Sequence, residues 1–530
     1  MIRLLFSVVA SFSLTALVAQ TNAPSTPKLV VAITIDQLRG DYLNMFKGTF
    51  GENGFKRLLN EGLVYSGVSY DFPNIDKATS TTTVFTGTNP SYHGIIGEEK
   101  YVKKTGKVVS SFHDDTFSGH HTTQKVSPMP IRVSTIADEL KSATDGQADV
   151  FAFAPDAASA IAAGGHNANV VYWIDDQSGK WCTSSFYKDK QPFVEQQNRG
   201  ALSISARISD TAWRPALETS QYNAFPYTKN RYGFQHYFAA DQKNKIRLFK
   251  QSPLVNTEIR EIAEKIMLAK DMGKRENPDL LSVTFYAGNY KNARDKIYSV
   301  EIQDTYHRLD AELAKLIETI DKHIGLQNAL IFVVPTGSFL EQPNEDNNKF
   351  TDVGGTFLHE RNKALLNMYL MAIYGQGQWV EKYIDNQIYL NLKRVEEKKI
   401  DTKELLEKAS DFLLQSSGIH NVVTSRQMLF DTNSNSEIQH FRNGYYRGIS
   451  GDLIYELQPG WQNISENHTK PSQRSFNSAL HTPVIFLGNN ISPQKVERVI
   501  HAQEIAPSVA YRLRIRAPNA AKSTILKEMH

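Results

Sequence analysis

The sequence predicts an α/β protein built on a doubly wound, mostly parallel sheet flanked by helices, with an inserted cap region. Two observations carry that expectation. The apolar runs Leu29 to Ile35, Val150 to Phe153, Leu281 to Phe285, Ala329 to Val334 and Pro483 to Leu487 are continuous rather than alternating, the pattern of strands buried on both faces of a sheet. Between such runs lie amphipathic segments. Glu301 to Ile324 sets Ile302, Tyr306, Leu309, Leu313, Leu316 and Ile317 on one helical face with charges opposite. Strands alternating with helices wind a parallel sheet, and such sheets take ligands at the carboxyl ends of their strands.

From the N-terminus, Arg3 precedes an apolar run from Leu4 to Ala19 and a small residue before Gln20, so residues 1–19 are expected to be a signal peptide. Ser7, Ser11, Ser13 and Thr15 make this run shorter and more polar than the ~20 apolar residues of a membrane span. The protein is therefore expected in the periplasm or secreted. Cys182 is the only cysteine, so no internal disulfide forms and stability comes from burial. A net charge of +3 over 530 residues is small and spread out, and it argues neither for nucleic acid nor for an acidic lipid surface; no nucleic-acid partner is expected. The expected core spans 20–100 and 233–530, with insertions near 342–349 and 376–448. The stretch 101–232 is rich in Ser, Thr, Gly, Asp and aromatics, with short strand-like pieces such as Val170 to Ile174, and is expected to form the cap.

The chemistry-bearing motif runs Asn74-Ile-Asp-Lys77-Ala-Thr79-Ser-Thr-Thr-Thr83-Val-Phe-Thr86-Gly87-Thr-Asn-Pro90-Ser-Tyr-His93-Gly94-Ile95. With it stand Asp36-Gln-Leu-Arg39-Gly40-Asp41, Gly164-Gly165-His166, Asp304-Thr-Tyr-His-Arg-Leu-Asp310, Ser450-Gly451-Asp452 and His481-Thr-Pro483, all in one order along the chain. On these pieces, from about Lys28 to Ala510, the chain resembles the alkaline phosphatase superfamily. It is most similar there to the secreted zinc-dependent bacterial alkaline phosphatases related to the nucleotide pyrophosphatase and phosphodiesterase group.

The resemblance implies two Zn²⁺ ions held by Asp and His ligands, which activate a Thr or Ser nucleophile and stabilise in-line displacement. It places that nucleophile nine residues before the Thr86-Gly87 pair, where this chain has Lys77. Asp36 and His481 match the first and last metal ligands. The remaining ligand positions fall on Asn289, Ala293, Thr336 and Gly337, and the phosphate-contacting pair falls on Asp156 and Ala158. An Asn amide is a weak neutral ligand, and Ala and Gly offer no side-chain donor. A carboxylate at position 156 repels a phosphomonoester.

Other candidates have plainer explanations. Asp304 and His307 lie within a predicted helix and are read as structural. His113, Asp114, Asp115, His120 and His121 form the densest cluster of ligand-type residues, read as a solvated loop. Thr79 is the weak alternative nucleophile, but its run of hydroxyls suits a helix start, where side-chain oxygens cap free N–H groups. The expectation on these grounds is an exported protein that has lost phosphate ester hydrolysis and binds a ligand or envelope partner instead. The alternative is an active phosphatase or phosphodiesterase with a rearranged metal site. The first reading expects no cofactor, and the alternative expects zinc. Partners on the first reading are an exported or envelope protein or a small anion, the latter drawn to the helix N-terminus after residue 76.

Overall fold

The computed structural model describes residues 25–224, 231–239, 244–294, 299–339, 355–431, 436–459, 461–464 and 481–530. The expected signal peptide 1–19 and the expected insertion near 342–349 lie outside these residues.

Ten strands form the central sheet. In chain order they are β1 (Leu29–Asp36), β2 (Leu63–Ser69), β3 (Gly119–His120), β4 (Val150–Ala154), β5 (Val170–Ile174), β6 (Trp181–Ser184), β7 (Asp279–Tyr286), β8 (Ala329–Pro335), β9 (Val484–Gly488) and β10 (Gln494–His501). Across the sheet the order is β10-β2-β9-β8-β1-β7-β4-β5-β6-β3. The middle is parallel: β1 pairs with β7 and β8, β7 with β4, and β4 with β5. Strand β9 runs antiparallel between β8 and β2, and β6 and β3 finish the far edge antiparallel. Every apolar run read as a strand is one. Their continuous hydrophobicity follows from helices covering both faces: Val30, Val31, Leu280, Leu281, Leu330 and Ile331 are fully buried.

The stretch 101–232, expected as a cap, supplies β3 to β6 to this sheet. A second core lies at 357–455, where Phe357, Leu366, Trp379, Leu405 and Tyr455 pack around an antiparallel four-stranded sheet. The long helix Val300–Ile324 buries Ile302, Tyr306, Leu309, Leu313, Leu316 and Ile317, the face read from its spacing. No helix among the described residues is long and apolar enough to cross a membrane.

Candidate functional site

Because β1, β4, β7 and β8 are parallel neighbours, their carboxyl ends form one rim. Asp36 closes β1, Asp156 follows β4, Asn289 and Ala293 follow β7, and Thr336 and Gly337 follow β8. The helix Lys77–Thr86 brings its first residue to the same rim.

Local chemistry explains that helix. Asp76 is its N-cap, and its carboxylate accepts hydrogen bonds from the N–H groups of Ala78 (2.8 Å) and Thr79 (2.9 Å). The Thr79 hydroxyl accepts from the Asp76 N–H at 3.0 Å, completing a capping box. The second Asp76 oxygen accepts from the Glu98 N–H at 3.0 Å, which pins the chain after the His93-Gly94 turn over the helix start. Gly87, at φ 64°, ends the helix in the left-handed conformation that glycine adopts without strain. Burial pushes the His93 imidazole down to about 3 and keeps it neutral. Its Nδ1 accepts from the Ile95 N–H, so Nε2 carries the proton and donates to the Thr83 hydroxyl at 3.1 Å.

The Lys77 ammonium lies 3.4 Å from Asp156 and 3.7 Å from Glu98. Burial disfavours its charge, but Asp156, Glu98, Asp36 and Asp176 outweigh that and hold its pKa well above the ordinary lysine value. Asp36 lies beyond salt-bridge contact and feels Lys77 through space. Burial is the main reason its carboxyl rises to about 6, against the lowering influence of Lys77 and of a hydrogen bond from the Thr336 hydroxyl at 3.0 Å. Asp156 is also the N-cap of the helix Ala157–Gly164, accepting from the Ser159 N–H at 3.1 Å. Ala158 sits in that helix's first turn.

The remaining expected positions are occupied differently. Thr336 is fully buried and spends its proton on Asp36. At Gly337 a Cβ would lie 2.5 Å from the Tyr70 ring, which is fixed by its own hydroxyl donating to the Pro335 carbonyl at 2.6 Å. Ala293 is buried, and the Asn289 carbonyl accepts from the Tyr286 hydroxyl at 3.1 Å. The backbone of His481 packs against Gly40, just past β1, and the Thr482 hydroxyl accepts from the Gly40 N–H at 2.9 Å. The His481 side chain itself is exposed. The resemblance implies that it shares a metal site with Asp36, but no hydrogen bond or ion pair ties it to Asp36 or Lys77 among the described residues.

The fully buried Thr79 hydroxyl is engaged with the Asp76 and Asn74 backbone, which makes it a capping group. The helix N-terminus likewise offers less to an outside anion than expected, since Asp76 already takes its first N–H groups. Asp304 accepts from the Trp213 indole, the Ala216 N–H, the Tyr222 hydroxyl and Arg308, and His307 bonds the Thr49 carbonyl; both are structural. Cys182 is buried, with its thiol on the Trp173 carbonyl and its pKa pushed well up by burial, so it is inert. Glu98, Asp176 and Tyr70 went unrecognised in the sequence. Only Asp76 had a signal, the Asp-x-x-Thr spelling of a capping box.

A strand-switch rim carrying these motifs defines a class, and comparison with known proteins supplies it: residues 30–482 match the family described as "Type I phosphodiesterase / nucleotide pyrophosphatase", to which the chain belongs. Among its relatives, a protein of Myroides odoratus named "Calcium-transporting ATPase" is 30% identical, over 95% of this chain and 94% of its own. The alkaline phosphatase PhoV of Synechococcus elongatus is 27% identical, over 95% and 93%. The alkaline phosphatase PafA of Elizabethkingia meningoseptica is also 27% identical, over 96% of each chain. A crystal structure of wild-type PafA superposes with a TM-score of 0.84 at 26% identity, covering 96% of this chain and 99% of that one.

These comparisons overturn the expectation of a protein that has lost phosphate ester hydrolysis and acts by binding a ligand or envelope partner. Along nearly its whole length the chain is similar to proteins named as alkaline phosphatases. The expectation that it needs no cofactor loses its footing with it. The residues present nevertheless do not fit a pair of zinc ions at this rim. Thr336 is committed to Asp36, Tyr70 fills the space before Gly337, Ala293 has no donor, and the Lys77 ammonium holds the centre among the carboxylates.

Proposed function

We propose that this chain is a phosphoric ester hydrolase whose centre is rearranged around Lys77, and that phosphodiesters are its better substrates. The observation that carries the proposal is the cluster at the rim: one ammonium among the Asp36, Glu98 and Asp156 carboxylates, at the carboxyl ends of parallel strands, where sheets of this kind take their ligands. Family membership supports the reaction class, and the charge balance supports the substrate preference. A dianionic monoester meets more repulsion from these carboxylates than a monoanionic diester does. Asp36, with its carboxyl near 6, has the proton affinity of a general base working close to neutrality. It takes a proton from the attacking water as the new P–O bond forms and the ester P–O bond breaks; the leaving group departs as an alkoxide or aryloxide and takes its proton from solvent water. Lys77 offers its charge to the non-bridging oxygens. Export is part of the same proposal, supported by the apolar segment Leu4 to Ala19.

The test compares bis(4-nitrophenyl) phosphate with 4-nitrophenyl phosphate, using the wild type, Asp36→Asn and Lys77→Ala. Diester turnover is expected to exceed monoester turnover, and Asp36→Asn is expected to lower kcat by about 10²-fold or more. Its rate should also rise with pH through about 6 as Asp36 ionises. Turnover of neither ester, or turnover indifferent to Asp36→Asn, overturns the proposal.

A further inference from the structure

We infer that His120, His121 and Glu195 form a divalent-metal site, of the kind that takes zinc, at the edge of the central sheet and apart from the Asp36 rim. The structure divides the histidine and aspartate cluster of residues 113–121. His113 pairs with Asp115 at the surface, Asp114 accepts from the Ser127 hydroxyl, and His120 and His121 turn to Glu195 instead. The His120 Nε2 lies 2.8 Å from one Glu195 oxygen, and the His121 Nε2 lies 2.7 Å from the other. One ligand atom from each residue falls within 4.8 Å of the others, the one such trio of metal-ligating side chains among the described residues.

Two features of the backbone build this arrangement. His120 belongs to β3, where pairing with Thr183 of β6 fixes it, and consecutive residues of a strand point to opposite faces. His121 breaks that alternation with a left-handed backbone, φ 62°, so that two successive rings reach one carboxylate with their centroids 4.2 Å apart. Glu195 comes from a separate element, the helix Pro192–Gln197. A metal here would tie that helix to the sheet edge.

The donor chemistry suits zinc. Two imidazoles and a carboxylate are a known three-ligand set, and tetrahedral bonds of about 2.0–2.1 Å put ligand atoms about 3.3 Å apart. The two nitrogen–oxygen separations need to open by only about half an ångström to admit the ion. Each ring nitrogen facing Glu195 then exchanges its proton for the metal, and the neutral ring keeps its hydrogen on Nδ1. All three side chains are partly exposed, which leaves room for water as a fourth ligand.

The test uses the full chain after chelator dialysis, titrated with Zn²⁺ against a chromophoric competitor and with Co²⁺ by visible absorption. The wild type and Asp36→Ala are both expected to take up an equivalent of Zn²⁺ with a four-coordinate Co²⁺ band. His121→Ala and Glu195→Gln are expected to weaken that uptake by at least about tenfold, while His113→Ala leaves it unchanged. Glu195→Gln keeps a hydrogen-bonding side chain, so a metal-free melting temperature equal to wild type shows that its loss of uptake is not misfolding. No uptake by the wild type, or uptake indifferent to both His121→Ala and Glu195→Gln, overturns the inference. Loss of uptake in Asp36→Ala alone also overturns it, because the metal would then belong to the rim.

Discussion

The sharpest consequences at the residue scale concern Asp36 and Lys77. The Asp36 carboxyl sits near 6 in the folded protein against an ordinary 3.8, so between those values the native state holds a proton that the unfolded chain has released. Stability contributed by this group therefore falls as pH rises from about 4 to about 6 and is level above that window. Asp36→Asn removes the ionisation and can still accept the Thr336 hydrogen bond. It is expected to raise stability at pH 8 by on the order of 2 kcal/mol, an advantage that shrinks to nothing near pH 4. Denaturant melts at the two pH values check this, and equal differences at both would contradict it. Lys77→Met acts in the opposite sense, leaving Asp156 and Glu98 without their shared cation. These groups are only partly buried, so a loss of about 1–2 kcal/mol at neutral pH is expected. High salt should shrink that loss.

At the scale of elements, the rim depends on how the helix Lys77–Thr86 begins and on how the turn after β8 is filled. Asp76→Ala removes the acceptor for the N–H groups of Ala78, Thr79 and Glu98 together. It is expected to cost about 2 kcal/mol, read in thermal unfolding, and to loosen amide exchange at residues 78–79 and 98 before the rest of the helix. Unchanged protection there would show that the cap is dispensable. The β1, β4, β7 and β8 ends could be placed from the sequence because their runs are continuously apolar and motif residues follow each one. Side-chain traffic at the rim was less legible. Nothing local marks Tyr70 as the ring that closes off Gly337, since the two meet only through the sheet. Glu98 reads as an ordinary surface residue until the Asp76 carboxylate draws its backbone over the helix start. His481 shows the reverse case: it is expected as a ligand beside Asp36, and its backbone packs against Gly40 while the residue is exposed to solvent.

Over the whole molecule, distant segments are joined by buried polar hubs that no local pattern announces, and Asp304 is the clearest. It is fully buried on the long helix Val300–Ile324, and it gathers donors from the chain between Trp213 and Tyr222 as well as from Arg308 on its own helix. In a low-dielectric setting such a carboxylate is stable only because every donor is present. Asp304→Ala leaves the Trp213 indole N–H, the Tyr222 hydroxyl and the Arg308 guanidinium facing a space without an acceptor, a loss expected to reach about 3–5 kcal/mol. Asp304→Asn keeps the shape but can accept fewer bonds and carries no charge for Arg308, so an intermediate loss is expected. Limited proteolysis should then cut first between residues 212 and 222, the segment whose Trp213, Ala216 and Tyr222 bonds to the helix are lost. Chelators should not change either variant's stability relative to wild type, because the role is hydrogen bonding and not metal ligation. A chelator-sensitive melt that Asp304→Ala abolishes would reassign this residue to a metal.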